Sequence, residues 1–217
     1  MDSTPNRSRK PDGARVRAPV GLAVVTTPPP FAGLTFERPR IMGVVNVTPD
    51  SFSDGGDFID AGIAVAHGLQ MVADGADLVD VGGESTRPGS DPVAEDEELR
   101  RVLPVVAGLA RQGILVSIDS RRAAVMRAAV EAGAAIINDV TALTADPDAM
   151  AVAAEAEVPV VLMHMRGEPK TMQVDPHYDD APGDVRDYLA GRVAACEAAG
   201  IPRQRIALDP GIGFGKT

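Results

Sequence analysis

From residue 41 onward the chain repeats one pattern. A helical segment ends near a glycine, a short apolar run follows, and the run stops abruptly at a polar residue. Ile41–Val45 stops at Asn46. After Gly75, Ala76-Asp-Leu-Val-Asp-Val81 stops at Gly82-Gly-Glu84. After Gly113, Ile114–Ile118 stops at Asp119. After Gly133, Ala134–Ile137 stops at Asn138 and Asp139. Pro159–Met163 stops at His164, and after Gly200, Arg205–Leu208 stops at Asp209. Runs this short, rich in Val and Ile and bounded by turn formers, have the character of buried strands. The segments between them carry helical periodicity. Residues 60–74 place Ile63, Ala66, Leu69 and Ala73 on one predicted stripe, and residues 94–111 place Leu99, Val102, Val106 and Leu109 on another, with Pro104 expected to bend that helix. Ser120 is the expected N-cap of the third helix and Gly133 its C′ glycine. Asp146-Pro147 is expected to start the fourth, and residues 183–199 form the fifth.

Six strands alternating with five helices predict an α/β fold with a parallel sheet and right-handed crossovers. A barrel is favoured over a doubly wound sheet. The units do not change character, no G-x-G-x-x-G opens the first helix, and polar residues end nearly every run, as when all βα loops meet at one mouth. A (β/α)8 barrel needs eight strands and typically about 250 residues. The expected fold is therefore an incomplete TIM barrel over residues 34–217, covering about six βα units. Residues 1–33 are expected to be a disordered tail. Their apolar run, Val20–Val25, is too short for a signal peptide.

Composition narrows the chemistry. The chain has 217 residues and 45% hydrophobic content, enough for one core. A net charge of −10 argues against nucleic acid and anionic membranes, so an anionic substrate must be met by local cations, a helix N-terminus or a metal. A single cysteine, Cys196, excludes an internal disulfide and suits a reducing, cytoplasmic setting.

Asn46, Asp119, Asn138 and Asp209 each end a different strand. Together they suit a ligand rich in N–H donors, because a carboxylate accepts two parallel hydrogen bonds from an amino-imino edge. Such edges occur in pterins, guanines and amidines. The plain alternative is that each one caps the following helix. Gly82-Gly-Glu-Ser-Thr-Arg-Pro-Gly-Ser90 is too long and polar for a bare connector, and its Thr86 and Arg87 could hold an anion. Asp209-Pro-Gly-Ile-Gly-Phe-Gly-Lys-Thr217 looks like a P-loop, but Pro210 occupies the position of its first glycine. The glycines there instead let backbone approach a ligand, with Phe214 as a wall and Lys216 as a cation at the mouth. His164 is expected to pack or hydrogen-bond beneath the site, since no cluster supports zinc.

Met42-Gly-Val-Val-Asn-Val-Thr-Pro-Asp-Ser-Phe-Ser-Asp-Gly-Gly56 and Gly82-Gly-Glu-Ser-Thr-Arg-Pro-Gly89 resemble the two signature loops of the dihydropteroate synthase family. Ser117-Ile-Asp-Ser120, Ile137-Asn-Asp139, Leu162-Met-His-Met165 and Leu208–Lys216 resemble further blocks, in order. The resemblance implies a TIM barrel that joins 6-hydroxymethyl-7,8-dihydropterin diphosphate to 4-aminobenzoate, a step of folate biosynthesis and a sulfonamide target. It implies that Asp119, Asn138 and Asp209 hold the pterin, with Met163 against its ring. Asn46 would serve Mg²⁺ and diphosphate. Thr86, Arg87, Pro88 and Phe214 would border the aminobenzoate. The loop Thr48, Pro49, Asp50, Ser51, Phe52, Ser53 and Asp54 would close over the reacting groups. A homodimer is implied for the full-length protein. The family's lysine on strand seven and its arginine and histidine on strand eight have no counterpart here, so residues 1–217 alone are expected to be inactive. The rival enzyme is a pterin-binding methyltransferase that presents methyltetrahydrofolate to a corrinoid. A non-catalytic pterin-binding paralogue is a further class.

Overall fold

The computed structural model describes residues 28–48, 61–85, 92–167, 172 and 176–216. The chain alternates β1 (Met42–Asn46), α1 (Ala61–Ala73), β2 (Leu78–Gly82), α2 (Glu95–Arg111), β3 (Val116–Asp119), α3 (Ala123–Glu131), β4 (Ile136–Asp139), α4 (Ala149–Glu155), β5 (Val160–Met163), α5 (Ala181–Ala198) and β6 (Ile206–Asp209). All six strands are parallel, and their order in the sheet is their order in the chain. A doubly wound sheet reverses direction at a switch point; this one never does. It is the wall of a barrel.

Side chains alternate across the wall. Val45, Val79, Val81, Val116, Ile118, Ile137, Val160 and Leu162 are buried against the helices. Met42, Val44 and Asn46 point the other way, because Gly43 between them faces Met71 of α1. The α1 stripe differs from the predicted one. Ala64 and Gly68 are its buried residues, Ile63 is exposed, and of the four expected positions only Leu69 packs against the core. The reason is close approach: a side chain at Gly68 would run into Leu109, and one at Gly108 into Val65. Small residues rather than large ones mark this interface. The α2 stripe is as expected, with Val102, Val106 and Leu109 buried and Leu99 packed beside them, and the helix continues through an exposed Pro104.

Two expected caps are corrected. Ser120 is not the N-cap of α3, which begins after Arg122; its Oγ accepts from Arg122 N instead. The first free N–H of α3, on Ala123, goes to Asp146 Oδ2 at 2.8 Å. Asp146-Pro147 therefore does not begin α4, whose N-cap is Asp148. Asp146 Oδ1 accepts from Asp148 N at 2.9 Å, so one carboxylate ties the starts of two helices together. Gly133 does follow the C-cap of α3, at φ +111°.

Residues 28–36 lie across the base of the wall. Phe31 and Leu34 hydrogen-bond each other through a tight turn, and with Phe36 they close a cavity of about 350 Å³ against Met42, Ile136 and Val161. Asp77 clamps the following segment, accepting from Arg38, Arg40 and the N–H of Ile41. Of the expected tail, residues 1–27 lie outside the described residues.

Candidate active site

The register assembles the site. Asn46 pairs with Gly82, Gly82 with Asp119, and Asp119 with Asn138, so one row crosses four strands near their C-terminal ends. It lies on the inner face, away from the helices. The row continues through Val161 to Ala207, and one step above it Met163 pairs with Asp209. Asn46, Asp119, Asn138, Met163 and Asp209 are thus on one face and at one end, as their positions in the sequence predict. A Cβ at Gly82 would stand 3.4 Å from Asp119 Oδ2 and 3.7 Å from Asn46 Oδ1. The glycine leaves a gap between those two side chains.

This floor is a set of acceptors. Burial, with Asp80, Asp139, Glu98 and Glu84 nearby, pushes the Asp119 carboxyl well above the usual carboxylate range. Among the described residues no salt bridge pairs a cation with Asp80 or Asp119, and the cation near Asp209 is Lys216. A ligand that brought N–H donors would favour the charged form of Asp119. Asp139, next to Asn138, does something else: it is fully buried and binds Thr141 N, Thr141 Oγ1 and Leu143 N, which shapes the turn after β4. For Asp119 the plain capping alternative fails, since it caps no helix.

The β6 loop folds over β5. Asp209 Oδ1 accepts from Gly211 N at 2.7 Å. Gly211 adopts φ +64° against Met163 and the His164 carbonyl, where a side chain has no room. Lys216 Nζ donates to the carbonyls of His164 and Phe214, both at 2.9 Å. It fastens the two loops together with a pKa lowered mainly by burial, and Phe214 is half-buried beside it. His164 is buried and stacks edge-on with Tyr188, its ring 5.0 Å away, which fits the expected packing role.

Of the two signature loops, Thr48 is described, half-buried just past β1; Pro49, Asp50, Ser51, Phe52, Ser53 and Asp54 lie outside the described residues, as do Thr86, Arg87 and Pro88. The ends of the second loop are well defined. Glu84 Oε2 accepts from Val93 N at 2.9 Å, and the same carboxylate pairs with Arg121 at 2.7 Å and Arg122 at 3.0 Å. Arg122 also pairs with the buried Glu98 and donates to the Val93 carbonyl. One carboxylate therefore holds both ends of that loop to the start of α3.

Comparison with known proteins settles the family. The model of the pterin binding enzymes matches residues 42–217. The chain belongs to the pterin-binding enzyme family. Its similarity is to dihydropteroate synthases in particular. It is 50% identical over 183 residues to the dihydropteroate synthase of Neisseria meningitidis serogroup C, covering 83% of this chain and 65% of the relative. Dihydropteroate synthase of Xanthomonas albilineans, solved with 4-aminobenzoic acid, is similar at 53% identity with a TM-score of 0.79, over 86% of this chain and 67% of that one. The same enzyme solved with 7,8-dihydropteroate superposes with a TM-score of 0.74 at 50% identity, over 85% of this chain and 64% of that one. The chain spans about 65% of the length of the curated relatives it matches.

One residue of this pterin-binding fold escaped sequence reasoning. Asp80 sits inside the β2 run, two positions before Gly82, and is 3% exposed on the inner face. Asn138 Nδ2 donates to its Oδ2 at 3.0 Å. The signal was an aspartate inside a buried run, at the spacing of two that shares a face with the strand's last residue.

Proposed function

We propose that this protein is a dihydropteroate synthase, condensing 6-hydroxymethyl-7,8-dihydropterin diphosphate with 4-aminobenzoate to give 7,8-dihydropteroate and diphosphate. The observation that carries the reading is the row of acceptors Asn46, Asp119 and Asn138, with Asp209 above it, at the C-terminal end of a parallel barrel wall. Two solved structures of one similar enzyme support it, one with 4-aminobenzoic acid and one with 7,8-dihydropteroate.

In this reading Asp119, Asn138 and Asp209 accept from the amino-imino edge of the pterin, and Met163 lies against its ring. Thr86, Arg87 and Pro88, with Phe214, border the aminobenzoate. Diphosphate leaves from a benzylic-like carbon, so positive character develops on the pterin methylene. N–H donors from the ligand favour the charged form of Asp119 that burial opposes, and Asp119 and Asp209 at the far edge then stabilise that electron-poor ring. The arylamine needs only to be held in line for attack, and no covalent intermediate with the protein forms.

Among the described residues no group of three His, Cys, Asp or Glu side chains could hold a metal. The donor set fits a magnesium ion that arrives with diphosphate, since Mg²⁺ is commonly held by one or two protein oxygens together with substrate phosphates. Asn46 would supply one such oxygen, and the ion when bound would neutralise the departing diphosphate. Among the described residues no helix is long and apolar enough to cross a membrane. A cytoplasmic homodimer completes the proposal.

The test is to express the complete reading frame that encodes these residues and assay it three ways: dihydropteroate formation, methyl transfer from methyltetrahydrofolate to a corrinoid, and pterin binding. Dihydropteroate formation that requires both substrates and magnesium is the expected result. Methyl transfer without it identifies the corrinoid enzyme instead, and pterin binding alone a non-catalytic protein.

A further inference from the structure

Asp80 lies one row beneath the acceptor floor. It pairs in register with Val44 on one side and Ser117 on the other, and its side chain is nine-tenths or more buried. Asn138, on the floor itself, is half-buried and lies on the inner face in register with Asp119. The link between the rows is the hydrogen bond from Asn138 Nδ2 to Asp80 Oδ2.

A primary amide carries a donor group and an acceptor oxygen on opposite sides of one plane. Which of the two it shows to a ligand depends on what holds the other. Asp80 Oδ2 is the acceptor in this bond. By holding the NH₂ group of Asn138, it turns the amide oxygen up toward the mouth. We infer that Asp80 is a positioning residue which fixes the polarity of Asn138, so that the pterin meets an acceptor there rather than a donor. This rests on the pterin reading above for the identity of the ligand, but the arrangement belongs to the protein. Burial raises the Asp80 carboxyl above its ordinary value, and Ser117 and the N–H of Asn138 pull the other way. The placement explains why a carboxylate, costly to bury, stands in the middle of an otherwise apolar strand. An asparagine there could hold either end of the Asn138 amide, and the floor would lose its single polarity.

The test is a double-mutant cycle on pterin affinity by calorimetry, using Asp80→Asn and Asn138→Ala. Asp80→Asn keeps the shape and adds a donor. It should weaken pterin binding by about tenfold or more in the wild-type background, the scale of a hydrogen bond to a charged group. In the Asn138→Ala background the same change should matter less than about twofold. An equal loss in both backgrounds overturns the inference, because a merely structural role would act with or without Asn138. So does the absence of a loss in the wild type. The side-chain amide resonances of Asn138 give a second reading that needs no ligand. Asp80→Asn should shift them, or split them into two sets, and unchanged resonances contradict the proposal. If the wild type binds no pterin at all, the functional reading falls, and the amide resonances still decide this one.

Discussion

At the scale of single residues, the site is defined as much by what is missing as by what is present. Gly82 pairs between Asn46 and Asp119 and keeps the space between them clear. A methyl group there meets both at ordinary contact distance, so Gly82→Ala should fold normally, with stability within about 1 kcal/mol of wild type, yet fill the cradle. Pterin affinity should fall by about tenfold or more while the thermal melt barely moves; calorimetry and circular dichroism on the same sample check both. Most of this floor was legible in the sequence. Asn46, Asp119, Asn138 and Asp209 announce themselves because each interrupts an apolar run at its end, where a parallel barrel puts its chemistry. Asp80 did not, because it lies inside its run and is visible only once the register shows which face it shares. The tie between Glu84 and Arg121–Arg122 was equally hidden, since it joins segments 37 residues apart in sequence (84 to 121) that only the β2–β3 pairing brings together.

At the scale of elements, strands were easier to read than helix ends. The caps of α3 and α4 were misplaced because Asp146 serves a helix that precedes it in the chain, a tertiary contact that local pattern does not encode. Asp146→Ala removes both bonds and should cost about 1–2 kcal/mol in a denaturant melt, whereas Asp146→Asn should recover part of the loss. The α1 stripe was misread for a related reason: close packing on α2 selects Ala64 and Gly68, which a search for large apolar residues passes over. At the base, hydrogen bonds from Arg38, then from the Ile41 N–H and Arg40, lower the Asp77 carboxyl to about 2 from its ordinary value. A depressed carboxylate contributes stability above its unfolded pKa and loses it as pH falls through the folded one. The clamp should therefore hold at neutral pH and release as pH drops from about 4 toward 2. Hydrogen exchange at residues 31–36 should speed up across that window, and Asp77→Asn should show the fast rate already at pH 7. Protection that is independent of pH and of Asp77 would contradict the clamp.

At the scale of the whole molecule, strand order decided what composition could not. Alternating βα units fit either a barrel or a doubly wound sheet, and the unbroken sequence of parallel neighbours selects the barrel. Within the described residues β1 and β6 lie at the two edges of the sheet. Met42 and Val44 on the inner face of β1 are 42% and 46% exposed, and Leu208 on the outer face of β6 is 49% exposed. Open edges beside apolar side chains invite pairing with other chains. A polypeptide of residues 1–217 should accordingly self-associate, with sedimentation coefficients that rise with concentration in the micromolar range. A strictly monomeric species with a cooperative melt would show that the edges are protected in a way this sheet does not display.

The central claim is that the inner face of this wall is a pterin pocket built from carboxylates and an amide on separate strands. Calorimetric titration of the protein with 6-hydroxymethyl-7,8-dihydropterin tests it most directly, alongside Asp119→Asn and Asp209→Asn. Each exchange replaces an acceptor-only group by one that also donates, so an amino-imino edge loses one of its two parallel bonds. The account predicts one site per chain in the wild type and a loss of more than about tenfold in each variant. Affinities of both variants within about threefold of the wild type, or a wild-type protein that binds no pterin, would contradict it.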